Sequence, residues 1–467
     1  MTSPGLRAAD LRLALPRAPG VVTVLGGLPG WAGVGLDPGA PLTVADRQHR
    51  RAAVARDGEL LLEGAAPGRL AGRTPARWLV LPGPVGPRLV VPAGRPLAAR
   101  AALCRVVPSG RLRTRIRDVL APALVGRGAL PPHLTWTVAS GEPGPPWPAR
   151  AAEALGVRPG PDWYLWLGQG DVLQRAALHV LRADGSGWVV KLARVPDYAA
   201  PFVRDEAAAA LVRAAGPVTA SNAPDFLGRS SACGLHYCVE RRAPGRPLGE
   251  LLAASRPDDE RTSRVEAVCQ WLVAMAVETR QPPESTGPEL DRLRRDVLPL
   301  WPGIDPAGLL AAVAGVPGVL AHHDLGSWNI AADAHGFCVL DWESAAQPAL
   351  PLWDLAYFLG DALVRCVGAD GPDRGRATLE LFAGGSPWSP VLFRWVRTMV
   401  RALGLAPTTV GPLVTLGWLH HARSPQLRDA ALDRTGGEPA ATPGTLVHLA
   451  RPWLADPRLG PTWSAWQ

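Results

Sequence analysis

Lysine is almost missing from this chain: of its 49 lysine and arginine positions one, Lys191, is lysine. Asparagine is nearly as scarce, confined to Asn222 and Asn329. Alanine, glycine, proline and arginine dominate, as GC-rich coding DNA produces, so lysine is rare by default. A lysine that persists in such a background marks a place where guanidinium does not replace ammonium, because the two differ in shape, hydration and reach. The six cysteines contain no C-x-x-C pair, which excludes the usual zinc-ribbon and thioredoxin-like spacings. They fall on apolar segments and read as structural thiols of a reducing cytoplasm. His179, His236, His335, His420 and His421 show no ligand spacing with one another or with a cysteine pair, so no zinc site is expected.

Two further absences bound the class. No charged-then-apolar leader opens the sequence, where Arg7, Asp10 and Arg12 precede a stretch broken by glycine and proline. The longest candidate span, Ala402 to Leu419, lacks charge but is interrupted by Pro407 and Pro412 and reads as a buried segment, not a membrane span. A cytoplasmic protein is expected. With 467 residues, 47% apolar and 19% charged, the chain is globular and long enough for two or three domains. The net charge of +8 comes from arginines spread along the whole length, which reads as a generic basic surface; no nucleic-acid partner is expected.

Residues 1–130 form a first region. In it Trp78 to Leu81 and Arg88 to Val91 flank a Pro/Gly turn and predict a hairpin, followed by helices over "AARAALCRVV" and "RLRTRIRDVLAPALV". In the second, Arg111, Arg113, Arg115 and Arg117 spread around the helix instead of aligning on one face. No set of residues here has chemical spacing, and the expectation is a module that binds a protein partner or gates substrate. A second region, 131–242, opens with the Pro/Gly-rich "ASGEPGPPWPAR". Its stretch "YLWLGQGDVLQRAALHVLRADGSGWVVKLAR" then reads as strand, glycine turn, strand, Asp184-Gly185 turn and strand, with Lys191 in the third. A helix over "FVRDEAAAALVRAAG" and two more apolar runs, near Phe226 and from Leu235 to Glu240, complete a small antiparallel sheet. Region 243–467 is mostly helical.

The chemistry concentrates in "HHDLGSWNIAADAHGFCVLDWESA", residues 322–345. An aspartate, Asp324, stands five residues before Asn329, and a second, Asp341, ends the apolar strand that follows a turn. That set suits Mg2+-assisted phosphoryl transfer: one carboxylate orients and deprotonates a hydroxyl, while an amide oxygen and another carboxylate hold metal ions between phosphates. Lys191 would contact the α- and β-phosphates, and Glu206 on the next helix would hold its ammonium. A slender point charge can touch phosphate and carboxylate together where a planar guanidinium would disturb both.

From about residue 160 to 467 the chain resembles the aminoglycoside phosphotransferase and choline kinase family. The resemblance rests on H-x-D-x-x-x-x-N at His322, Asp324 and Asn329, on "VLDWESA" with Asp341 and on "PLWDLAYFL" with Asp354, in that order after Lys191 and Glu206. It implies an α+β, protein-kinase-like bilobal fold, with a small antiparallel sheet lobe, a mostly helical lobe and an additional N-terminal α/β region. It implies that Asp324 is the catalytic base, that Asn329 and Asp341 are the Mg2+ ligands, and that His322 supports the catalytic loop. Asp354 would be a buried carboxylate bonded to that loop's backbone. The nucleotide, ATP with GTP as the alternative, would lay its base near Glu240 and Arg241 and its phosphates under a loop containing Gly168 and Gly170. Two departures stand out: His323 occupies a position where the family has glycine, and "GQGDVLQ" lacks a third glycine.

The acceptor is expected to be the hydroxyl of a neutral or anionic small molecule, sugar-like in class. From residue 345 onward nine acidic residues face 11 arginines without clustering, which disfavours a polycationic aminoglycoside. Trp353, Trp388, Trp395 and Trp418 are either core or platforms for a sugar face. A different reading is a nucleotide-binding pseudokinase whose N-terminal region does the work. A protein kinase is disfavoured, since "DWE" replaces D-F-G and no A-P-E segment follows.

Overall fold

The computed structural model of the chain describes residues 9–464 apart from 26–34, 36–38, 55, 57–58, 65–72, 84–85, 104–119, 141–143, 169–172, 255–257, 302, 370–372 and 435–452. Gly170, Cys104 and the arginines from Arg111 to Arg117 lie outside the described residues. The chain divides into two compact units, residues 1–203 with 225–243, and residues 204–224 with 244–467.

The first unit is built on one eleven-stranded sheet. Its strands are β1 (Pro19–Leu25), β2 (Ala40–Ala45), β3 (Glu59–Glu63), β4 (Thr74–Gly83), β5 (Gly86–Pro92), β6 (Thr135–Ser140), β7 (Trp163–Trp166), β8 (Ala176–Leu181), β9 (Gly187–Leu192), β10 (Phe226–Ala232) and β11 (Leu235–Arg241). They stand in the order β1-β2-β3-β6-β4-β5-β7-β8-β9-β11-β10. The β1, β2 and β3 neighbours run parallel and all other pairs antiparallel. Because side chains alternate across a strand, the apolar runs are sorted onto two faces. Trp78, Val80, Val90, Leu165, Leu178 and Val190 share one core. Leu79, Leu89 and Val91, one residue out of phase, join helices α1 (Pro96–Leu103) and α2 (Ala121–Gly126) in another.

The hairpin expected around residues 78–91 is β4 and β5, longer at both ends. The five strands expected as a small separate sheet are β7 to β11, but β7 bonds to β5 through Leu89↔Trp166 and Val90↔Leu165. The expected division near residue 130 therefore does not interrupt the sheet. Strand-edge pairing is made by backbone groups, which leave no mark in residue type.

The second unit is mostly helical, so the chain as a whole is α+β. Helix α3 (Ala200–Ala215) leads into it, followed by α4 (Asp258–Glu278), α5 (Trp353–Val367), α6 (Ser389–Leu403) and α7 (Val410–Arg434). Buried Leu392, Trp395, Val396, Met399 and Leu403 recur at helical spacing on α6 and join Leu272, Phe358, Leu363 and Leu419 in one core. Trp353, Trp395 and Trp418 are buried in that core and Trp388 lies against it, so the four candidate platforms are packing residues. Among the described residues no helix is long and apolar enough to cross a membrane. Five short strands position the loops: β12 (Arg246–Pro247), β13 (Val319–Ala321), β14 (Ile330–Ala332), β15 (Phe337–Val339) and β16 (Ala346–Ala349). β14 and β15 form a hairpin closed by Asp333, and β13 pairs with β16.

Candidate active site

The loop from His322 to Asn329 leaves β13 and enters β14. Its turn is written in its own hydrogen bonds. The Asp324 N–H donates to His322 Nδ1 at 3.2 Å, so the other ring nitrogen carries the hydrogen and donates to the Leu340 carbonyl at 2.8 Å. His322 thus ties the loop to the end of β15 as a neutral imidazole. His323 sits at φ 63°, in the left-handed region that costs a side-chain-bearing residue about 1 kcal/mol. Glycine at this position would adopt that conformation without cost, which explains the family pattern from which this chain departs.

Helix α5 fastens the loop at two points. Near its N-terminus, buried Asp354 accepts from the His322 N–H at 2.6 Å and from the His323 N–H at 2.9 Å. Seven residues on, buried Asp361 accepts from the Ser327 N–H at 2.8 Å and from its hydroxyl, and pairs with Arg365 at 3.1 Å and with Arg374. Seven residues are two helical turns, so both carboxylates point to one side. Tyr357 lies between them on the same stripe, with its hydroxyl beside the Asp324 carboxylate.

Asn329 Nδ2 donates to the Asp324 carbonyl at 2.9 Å and to Asp324 Oδ2 at 3.1 Å. Only an amide nitrogen can serve two oxygen acceptors this way, so the orientation of the amide is settled and Oδ1 is left as a neutral oxygen donor. Asp341, at φ 66°, ends the strand segment and caps the turn Trp342–Ser344. Aspartate tolerates that conformation better than most residues. Burial first, and then the charge of Asp341, push the Asp324 carboxyl up to about 7. Burial also raises Asp354 to about 6, against the two N–H groups it accepts from. An amide oxygen and carboxylates whose mutual repulsion shows as a raised pKa form a hard-oxygen set that a divalent cation would relieve. Two protein donors fall short of a full cage, which suits Mg2+, since that ion keeps waters and phosphate oxygens in its shell.

In the first unit, Lys191 Nζ lies 3.2 Å from Glu240 Oε1, with the two side chains 12% and 10% exposed. Cys238 is directly opposite Lys191 on β11, so Glu240, two residues along, shares its face. Glu206, the carboxylate expected to hold the ammonium, lies on α3 in the second unit. Arg241 places its guanidinium 5.4 Å from the Trp188 ring, and Arg242 donates to the Gly185 carbonyl at 2.8 Å, which fastens the end of β11 to the β8–β9 turn. Gly168 has φ 69°, a left-handed conformation that favours glycine.

Several residues beside Asp324 were not singled out from the sequence. Trp328, within the loop, is 39% exposed. Its ring covers Gly326, where a Cβ would lie 2.3 Å from the indole, and meets the Tyr357 ring edge-on at 5.9 Å. Beneath the loop, His421 stacks on Tyr357 at 4.0 Å, His420 stacks on Trp353 at 4.8 Å, and His323 is 4.7 Å from His420. Burial pushes His323 and His421 down to about 3, and burial with neighbouring charges lowers His420, so all three are neutral. Arg292, held by Glu289, reaches His420 Nδ1 at 2.9 Å. Asp361 could have been found from its spacing to Asp354 in an otherwise apolar helix, and Tyr357 from its place between them.

No family model and no curated protein matches the chain. Among solved structures it is similar to an aminoglycoside-3'-phosphotransferase of type VIII, with 17% identity over 48% of this chain and 88% of that one and a TM-score of 0.29. The macrolide 2'-phosphotransferase MphH from Brachybacterium faecium gives 20% identity over 55% and 98%, with a TM-score of 0.30. The streptomycin-ATP-APH(2")-IIa ternary complex gives 9% identity over 55% and 94%, with a TM-score of 0.30.

Proposed function

We propose that the chain is an ATP-dependent phosphotransferase that phosphorylates a hydroxyl of a small molecule, with Asp324 as the base. The observation that carries this reading is the environment of Asp324: a carboxylate held by Asn329, adjoining Asp341, in a loop fixed twice by α5. A base raised to about 7 is matched to neutral pH, where half its population can take a proton. The acceptor hydroxyl gives its proton to Asp324 as its oxygen bonds to the γ-phosphorus, and the bond from that phosphorus to the β-phosphate oxygen breaks. Asn329 keeps the carboxylate in one rotamer and Tyr357 holds it from the side of α5. Asn329 Oδ1 and Asp341 would hold Mg2+, which when bound screens the phosphate oxygens and the charge left on the leaving group. Lys191, oriented by Glu240, binds the α- and β-phosphates as a point charge.

The acceptor is neutral or anionic and sugar-like in class. Trp328 supports this, offering an exposed, seated ring three residues past Leu325 in the same loop as the base. The arginine excess of the helices after residue 345 supports it too.

Transfer of labelled γ-phosphate from ATP with Mg2+ into fractionated small-molecule extracts and a sugar and amino-alcohol panel tests the reading, with Asp324→Asn beside the wild type. Label entering one compound only with the wild type is expected. Nucleotide binding without transfer to any fraction would instead make the chain a nucleotide-binding regulator.

A further inference from the structure

The first unit contains a cavity of about 750 Å3 that the phosphotransfer machinery does not use. It arises from a mismatch in strand length. β4 starts at Thr74, but β5 pairs with it only from Trp78 onward and Ala93 adds one bond to the Arg77 carbonyl, so residues 74–76 are laddered on one side alone, to β6. The chain leaves β5 through Gly94, at φ 76°, a conformation that glycine takes without strain, and turns into α1. The gap this opens beside β4 is the cavity.

Three arginines reach it from three elements: Arg77 from β4, Arg95 from the turn after β5 and Arg127 from the end of α2. No described aspartate or glutamate lines it. None of the three arginines makes an ion pair or side-chain hydrogen bond with a described residue. The Arg77 guanidinium lies over Gly128, 3.0 Å from where a Cβ would stand. Trp78 and Trp163, edge to face at 6.0 Å, form an apolar part of the wall. Guanidinium-bearing side chains in the wall of one pocket, with no described carboxylate among them, suit an anion, and their planar donor forks match phosphate oxygens bidentately. The volume falls within the range of small-molecule pockets, so there is room for an organic body against the tryptophans as well as for the anion.

We propose that the first unit carries a second small-molecule site at the open edge of β4, which binds a phosphate ester of metabolite size through Arg77, Arg95 and Arg127. A phosphate monoester supplies two negative charges in one group, and a carboxylate only one. This assignment is independent of the phosphotransferase reading and gives the N-terminal region a ligand of its own.

Calorimetric titration of the full chain with glucose 6-phosphate and with pyrophosphate, at low and high salt, tests it. The wild type, Arg77→Gln/Arg127→Gln and Trp328→Ala are compared, with glucose and citrate as reference ligands. Binding is expected to weaken at least tenfold in the arginine variant, to survive in Trp328→Ala, and to fall with salt, with both variants melting like the wild type. The proposal is overturned if neither phosphate probe binds the wild type below about 1 mM. It is equally overturned if binding is unchanged in the arginine variant, or if citrate binds as tightly as the phosphates.

Discussion

Asn329 grips Asp324 twice through one nitrogen, at 2.9 Å on the main-chain carbonyl and 3.1 Å on Oδ2. The same amide therefore closes the turn and sets the carboxylate rotamer, and its oxygen stays free for a cation. Asn329→Asp replaces the donor by a carboxylate facing Asp324 and Asp341. The expected result is a loss in kcat of about 10²-fold or more, since both orientation and protonation of the base suffer. The added negative charge raises the Asp324 pKa, so the acid limb of the residual pH–rate profile moves to higher pH. Steady-state kinetics across pH with the identified acceptor checks both, and an unshifted limb would count against the assigned base.

Tyr357 offers a separate handle on that carboxylate. Its hydroxyl lies beside that carboxylate, and donation to the ionised form would favour ionisation against the upward push of burial. Tyr357→Phe keeps the ring stacked on His421 and the edge contact to Trp328, and removes only the hydroxyl. A roughly tenfold fall in kcat is expected, with the KM for ATP unchanged and the acid limb displaced to higher pH. A fall in melting temperature without a displaced limb would reduce Tyr357 to packing.

Asp354 does for the loop what no water does in its place. It accepts two adjacent backbone N–H groups at once, and an asparagine can accept on one atom only while turning its NH2 against the other donor. Asp354→Asn should destabilise the chain by about 1–3 kcal/mol, the range for an unsatisfied buried donor. Urea unfolding followed by circular dichroism reads this directly.

The loop from His322 to Asn329 was legible as a cluster because the proposed chemistry asks for particular residue types at fixed spacing. His322, Asp324, Asn329 and Asp341 stand together within one unit, and Asp354 bonds the loop backbone as the resemblance implies. The approach of Glu240 to Lys191 was less so. Strand register places Glu240 on the lysine's face at 3.2 Å, and register is fixed by long-range pairing that sequence does not display. The single sheet through β5 and β7 escaped for the same reason. Trp328 escaped because its exposure depends on Gly326 beneath it, a close approach that no periodicity announces.

Trp328 allows the acceptor to be separated from the nucleotide. The ring is held by Gly326 below and Tyr357 at its edge, so it is preorganised and loses little entropy when a ligand stacks on it. Trp328→Ala is expected to raise the KM for the acceptor about tenfold and leave the KM for ATP alone, consistent with about 1 kcal/mol for an aromatic stacking contact. Equal changes in both constants would show a disturbed loop instead of a lost platform.

The raised carboxyl of Asp324 also makes a prediction about stability without any substrate. Its ordinary value is 3.8 and the folded chain holds it at about 7, with burial and Asp341 as the leading causes. Between those values the folded chain binds a proton that the unfolded chain releases. The contribution is therefore fully present below pH 4 and disappears as pH rises through 7. In metal-free buffer the wild type should lose stability from pH 5 to pH 8, and Asp324→Asn should lose less, because Asp354 titrates in both and only the wild type must also ionise Asp324. At pH 8 the variant is expected to be the more stable of the two, by on the order of 1–3 kcal/mol. Added Mg2+ should recover the wild type at pH 8 and have a smaller effect on the variant, since the cation favours the ionised carboxylate. Urea midpoints at the two pH values, with and without Mg2+, decide it: parallel curves would mean that Asp324 is ionised in the folded chain at all these pH values, and that its neighbours do not repel it.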